Sequence, residues 1–114
     1  MYINQLTVPT IERIIKRIEN PANWLQGVFA KDAVGRAVQS TSETACRFCS
    51  AGARNIETVS QPGFISAQIT ILFEKIAGTT MVNFNDTHTH AEVMQAWTKT
   101  LNLAKQYLKE QDVL

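Results

Sequence analysis

The chain has 114 residues, 45% of them apolar, with 11 basic and 10 acidic side chains and a formal charge of +1. That length sets a single domain, residues 1–114, with one modest core. The near-neutral balance argues against a charge-driven nucleic-acid binder, and no run of about 18 apolar residues offers a membrane span.

The opening residues, Met1 to Thr7, carry neither a basic region nor an apolar signal core, so a cytoplasmic protein is expected. Ile11, Ile14, Ile15 and Ile18 then recur at helical spacing, and Pro9 suits a first turn where its missing N–H costs nothing. A helix over residues 9–19 follows, ended by Asn20-Pro21. Arg13, Lys16 and Arg17 give it a basic flank, diluted by Glu12 and Glu19 and read as a solvated face. Trp24 and Phe29 are candidate core or rim anchors. Residues 31–36 read as a polar turn in which Gly35 takes positive φ, with room for a short hairpin of residues 27–30 against 36–39.

Ser40-Thr41-Ser42-Glu43 fits a capping box and predicts a helix over residues 42–56. Its face of Ala45, Cys46, Cys49, Ala53 and Ile56 is small enough for close approach by another backbone. Pro62-Gly63 marks a break. Ile65, Ile69, Leu72, Phe73 and Ile76 predict a helix over 64–77, stopped by Gly78. Residues 79–85 read as an extended segment entering a polar loop, Asn83 to Glu92, which holds both histidines. Thr89 and Glu92 form a second capping box, launching a helix over 90–109 with Val93, Ala96, Trp97, Thr100, Leu101, Ala104, Tyr107 and Leu108 inward. The expected fold is mainly α, a compact bundle of about four helices with a short β-hairpin or strands.

The candidate chemistry lies in two places. Cys46 and Cys49 have the C-x-x-C spacing of a redox pair or half a zinc site, with His88 and His90 as the other half in an irregular spacing. The plainer reading is a pair of structural helix cysteines. A catalytic Cys49 would need His88 or His90 as base, oriented by Asn83, Asn85 or Asp86; Asn85 and Asp86 read equally well as turn-holding side chains. No phosphate loop, H-E-x-x-H, G-x-S-x-G or calcium motif is present, and the sequence calls for no cofactor or metal.

Arg47-Phe48-Cys49-Ser50-Ala51-Gly52-Ala53 resembles the R-W-C-x-x-G-A segment of a family of small bacterial, actinobacterial and phage proteins of unknown function, the DUF6197 type. Phe84-Asn85-Asp86 resembles its W-N-D, and Thr89-His90-Ala91-Glu92-Val93 its T-x-A-E-V. Trp24 to Gly27 and Ala30 to Arg36 resemble its W-x-x-G and A-x-D-x-x-G-R elements. Two tryptophans of the pattern are Phe48 and Phe84 here, and Cys46 and His88 have no counterpart in it. The resemblance points to Cys49, Asn85, Asp86 and Thr89 as the shared polar set and implies no activity. The leading expectation is therefore a protein-interaction or accessory factor without catalysis, phage- or bacterium-encoded, working with a protein partner or as a homodimer. The alternative is a small enzyme or ligand-binding domain using Cys49, Asn85, Asp86, His88 and His90.

Overall fold

Four isoleucines on one helix must find cover, and their neighbours in the fold are decided by that need. The computed structural model describes residues 1–112. Helix α1, Thr7–Ile18, buries Ile11, Ile14 and Ile18 completely and packs on two later helices, α2 (Ser50–Thr58) and α5 (His90–Asp112). Helix α3, Gly63–Ala77, lies against α5 and α2. Its Ile65, Ile69, Leu72 and Phe73 meet Trp97, Ala96 and Val93 of α5 in the core. Burial of each such side chain contributes about 1.5–3 kcal/mol before entropy is counted. The protein is thus mainly α with a small antiparallel sheet, as expected, and α1, α3 and α5 begin and end within a few residues of the predicted bounds.

Gly35 and Gly78 take positive φ, 91° and 75°, in the turn and at the α3 stop. Thr89 and Glu92 form the reciprocal box: the Glu92 carboxylate accepts from the Thr89 N–H at 2.9 Å, and the Glu92 N–H donates to the Thr89 hydroxyl at 3.2 Å. The hairpin forms one step later than predicted. Strand β1, Ala30–Lys31, pairs with β2, Ala37–Val38, in the register Ala30 to Val38 and Lys31 to Ala37.

Two expectations fail. The Ser40–Glu43 box starts no helix. Residues 39–45 instead make successive turns, with the Ser42 N–H bonded to the Gln39 carbonyl and the Ala45 N–H to the Ser42 carbonyl. Beyond them Arg47–Phe48 forms β3 on the free edge of β1, so the sheet order is β2-β1-β3. Pairing with the upstream strand β1, Ala30 to Phe48 and Lys31 to Arg47, satisfies backbone groups that a local helix would otherwise have used, and Phe48 is buried. The helix therefore starts at Ser50, with Cys49 as its cap rather than a mid-helix residue.

Residues 79–85 are not extended either. Met81–Thr87 is a short helix, α4. The Thr80 hydroxyl caps it by accepting the Asn83 N–H at 3.1 Å, and the Glu74 carboxylate takes the Met81 N–H at 2.8 Å. These two acceptors satisfy donors that a helix start leaves orphaned, and they override the β-favouring run of Thr79, Thr80 and Val82. The supposed loop shrinks to His88 and Thr89 between α4 and α5.

Candidate functional site

Asn85 faces inward from α4, fully buried. A buried carboxamide must find partners for both ends, and this one does. Its Oδ1 accepts from the Trp24 indole N–H at 2.8 Å, the Ser50 backbone N–H at 3.0 Å and the Ser50 hydroxyl at 2.9 Å. Its Nδ2 donates to the Leu25 carbonyl at 3.0 Å and to Asp86 Oδ1 at 3.2 Å. Ser50 Oγ in turn accepts the Trp97 indole N–H at 3.0 Å. Both tryptophans of the chain are thereby joined to one amide. The exposed Asp86 accepts the Gly27 N–H at 3.1 Å, and the Gln26 amide donates to the carbonyls of Asn85 and His88. The segment Trp24 to Gly27 is laid across the end of α4 by these bonds. An amide cannot titrate, and here its oxygen is fully occupied. The arrangement ties the Trp24–Gly27 segment, α2, α4 and α5 together, and the buried amide itself offers no proton-transfer group.

Cys49 sits where β3 turns into α2. Its sulfur accepts the Gly52 N–H at 3.3 Å, and its own N–H donates to the Phe29 carbonyl at 3.2 Å. Only 3% of the residue is exposed. Gly52 is required by the same contact: a Cβ there would lie 2.0 Å from the Phe29 carbonyl oxygen. Burial pushes the Cys49 thiol above its ordinary range; the amide N–H groups of Gly52 and Ala51 oppose that, and Asp86 adds to it. A neutral thiol in this setting is a weak nucleophile. Beside it opens a recess of about 90 Å³ lined by Gly27, Val28, Phe29, Cys49, Val82 and Asp86.

The other predicted partners are elsewhere. Cys46 is exposed, with its thiol 3.6 Å from the Lys31 carbonyl, and both cysteines are free thiols. His88 stacks on Phe84 at 3.8 Å, and its Nδ1 lies 2.9 Å from the Phe84 carbonyl. A carbonyl only accepts, so Nδ1 carries the proton. His90 Nε2 donates to the Ile18 carbonyl at 2.7 Å, at the end of α1, with the ring edge-on to Trp24. Neither imidazole bonds to Cys49 among the described residues. The structure brings Cys49, Asn85 and Asp86 together and leaves both histidines out, so the thiol–histidine pair required for nucleophilic catalysis is not assembled. No three His, Cys, Asp or Glu side chains among the described residues gather as a metal set.

Sequence reasoning missed Ser50 and the joining of Trp24 with Trp97. Two tryptophans in a small chain, each with one N–H to satisfy when buried, were the available signal. Phe29, expected as a core or rim anchor, lies at the rim. This ring is 50% exposed although its backbone is clamped by Cys49 and Gly52. On one side lies the Cys49 recess. On the other lies a shallow cleft of about 370 Å³ lined by Phe29, Gln39, Ser40, Thr41, Asn55, Thr58 and Val59. Comparison of the chain with protein-family models, with curated proteins and with solved structures finds no match.

Proposed function

We propose that the chain works by binding protein, as a homodimer or on a partner, through a surface centred on Phe29, and that it has no catalytic activity of its own. The observation that carries this reading is a half-exposed aromatic ring on a fixed backbone. Aromatic anchors dominate binding energy at protein interfaces when they are presented rigidly, because little entropy is lost on contact. Phe29 meets that condition through its carbonyl, held by the Cys49 N–H and fitted against Gly52. Val82 and Val59, exposed by 43% and 61%, line the two flanking hollows and extend the apolar surface.

The same reading takes the chain as a cytoplasmic accessory factor of bacterial or phage origin, related to the DUF6197 type. Support for that relation is physical: among the residues carrying the resemblance, Trp24, Gly27, Asn85 and Asp86 are joined by hydrogen bonds, Cys49 bonds Gly52, and Gly27, Cys49 and Asp86 line one recess. No helix among the described residues is long and apolar enough to cross a membrane. Solution mass measured over a range of concentrations, alone and with extract of the source cell followed by identification of bound proteins, tests the proposal. A dimer or a stoichiometric complex, lost in Phe29→Ser with the fold intact, is the expected result. A monomer at every concentration with no complex, or a complex indifferent to Phe29→Ser, overturns it.

A further inference from the structure

Arg13, Lys16 and Arg17 line a cleft of about 400 Å³ between α1 and the residues leading into α2; Asn23, Ala45, Cys46, Phe48 and Glu57 complete it. The two arginines share one carboxylate. Arg13 Nε lies 3.1 Å from Glu57 Oε1, and Arg17 Nη2 lies 2.7 Å from Glu57 Oε2. Lys16 is exposed and forms no ion pair among the described residues. Three cations against one carboxylate leave a surplus of two positive charges here. Without these four residues the rest of the chain, eight basic and nine acidic side chains, is net negative. The positive charge of this protein is therefore a local property of the cleft.

The cations are also positioned in advance. Arg17 is held between Glu57 and the face of Phe48, with Cζ 5.0 Å from the ring centre. Arg13 is held by Glu57 and by Thr10 Oγ1, 3.1 Å from Nη2. Guanidinium groups fixed in this way match the oxygens of a phosphate, and little side-chain freedom remains to be lost on binding. The volume falls in the range of small-molecule sites, about 300–1,000 Å³. Asn23 supplies an amide, and Ala45 and Cys46 a less polar wall.

We propose that this cleft binds a small organic phosphate, a dianion that matches the surplus of two charges, with its phosphoryl group among Lys16, Arg13 and Arg17 and its organic part toward Ala45 and Cys46. A nucleic-acid strand is a poorer match, since its recognition needs a basic track. The exposed Glu12 in α1 and Glu19 at its C-cap flank Arg13, Lys16 and Arg17 in the chain. This inference does not rest on the Phe29 surface.

Cys46 provides the readout, because it is exposed in the same cleft whereas Cys49 is buried. The full chain is alkylated with iodoacetamide in the presence of inorganic phosphate, adenosine monophosphate, adenosine, or a single-stranded oligonucleotide, at constant ionic strength, and Cys46 labelling is followed by mass. Saturable slowing by adenosine monophosphate, weaker slowing by phosphate and none by adenosine is expected. Lys16→Glu should raise the half-saturating concentration about tenfold, the loss of one charge-assisted contact. No protection by either phosphate compound, equal protection in Lys16→Glu, or protection by the oligonucleotide alone would overturn the proposal.

Discussion

The Trp24 indole N–H donates to the Asn85 side-chain oxygen at 2.8 Å, across 61 positions of sequence. That oxygen also takes both donors of Ser50. Asn85→Ala leaves these buried donors without their acceptor, and each unsatisfied buried group costs about 1–3 kcal/mol. We expect a loss of at least about 3 kcal/mol in urea unfolding, with a red-shifted tryptophan emission as Trp24 gains water. A loss under about 1 kcal/mol would mean that the network contributes little to the fold.

Gly52→Ala and Gly63→Ala should act in opposite directions. Alanine is ordinarily the better helix former. At Gly52, however, the new methyl collides with the Phe29 carbonyl, which is backbone and cannot rotate away. The expected cost is more than about 2 kcal/mol. At Gly63 nothing lies within 4 Å and φ is not positive, so alanine should stabilise by about 0.4–1 kcal/mol. Thermal melts of the two variants give the comparison.

Stability should fall with acid, and Glu92 and Asp32 set part of that fall. The Thr89 backbone N–H, then its hydroxyl, holds the Glu92 carboxyl below its ordinary 4.5. The Arg36 backbone N–H, then its guanidinium, holds Asp32 below 3.8. In both cases the unfolded chain binds its proton more tightly than the folded one. The stabilisation is complete above the ordinary values and is lost as pH drops through the lower folded values. Glu92→Gln should flatten the melting temperature against pH in that acid range and leave neutral-to-basic pH unaffected in slope. An unchanged acid slope in that variant would remove Glu92 from the account.

The two thiols should separate in reactivity. Cys46 should react with a disulfide reagent at the rate of a free surface thiol. Cys49, buried and with its thiol pushed upward by desolvation, should react at least about tenfold more slowly, limited by local opening. In denaturant the two rates should converge. Equal rates in the native protein would place Cys49 at the surface.

Where the fold was legible, the signal was local. The isoleucines of α1, the apolar rows of α3 and α5, the Gly78 stop and the Thr89–Glu92 box all act within a turn or two of themselves. The strand β3 was hidden because two residues carry no periodicity and its partner β1 lies well upstream. The Ser40 box was a false signal for the same reason: a few local hydrogen bonds lost to a sheet edge. Helix α4 was hidden because its cap includes Glu74, from the end of the preceding helix. Of the polar set named from the resemblance, Cys49 and Asp86 line one recess and Asp86 bonds Asn85, whereas Thr89 lies apart as the cap of α5. The histidines were not separable from them in sequence, since only the fold shows that each imidazole is committed to a carbonyl.

The place of α1 between α2 and α5 has a consequence for how the protein is made. The ribosome finishes α1 at residue 18 and begins α5 only at residue 90. At about 5–20 residues per second, the interval is roughly 4–14 s. Through that interval the isoleucine row lacks the cover of α5, and Gln111, whose amide holds the backbone of Ile3, arrives later still. The apolar row of α1 is thus completed well before the helix that covers it, and the exposed interval is set by the 71 residues between them.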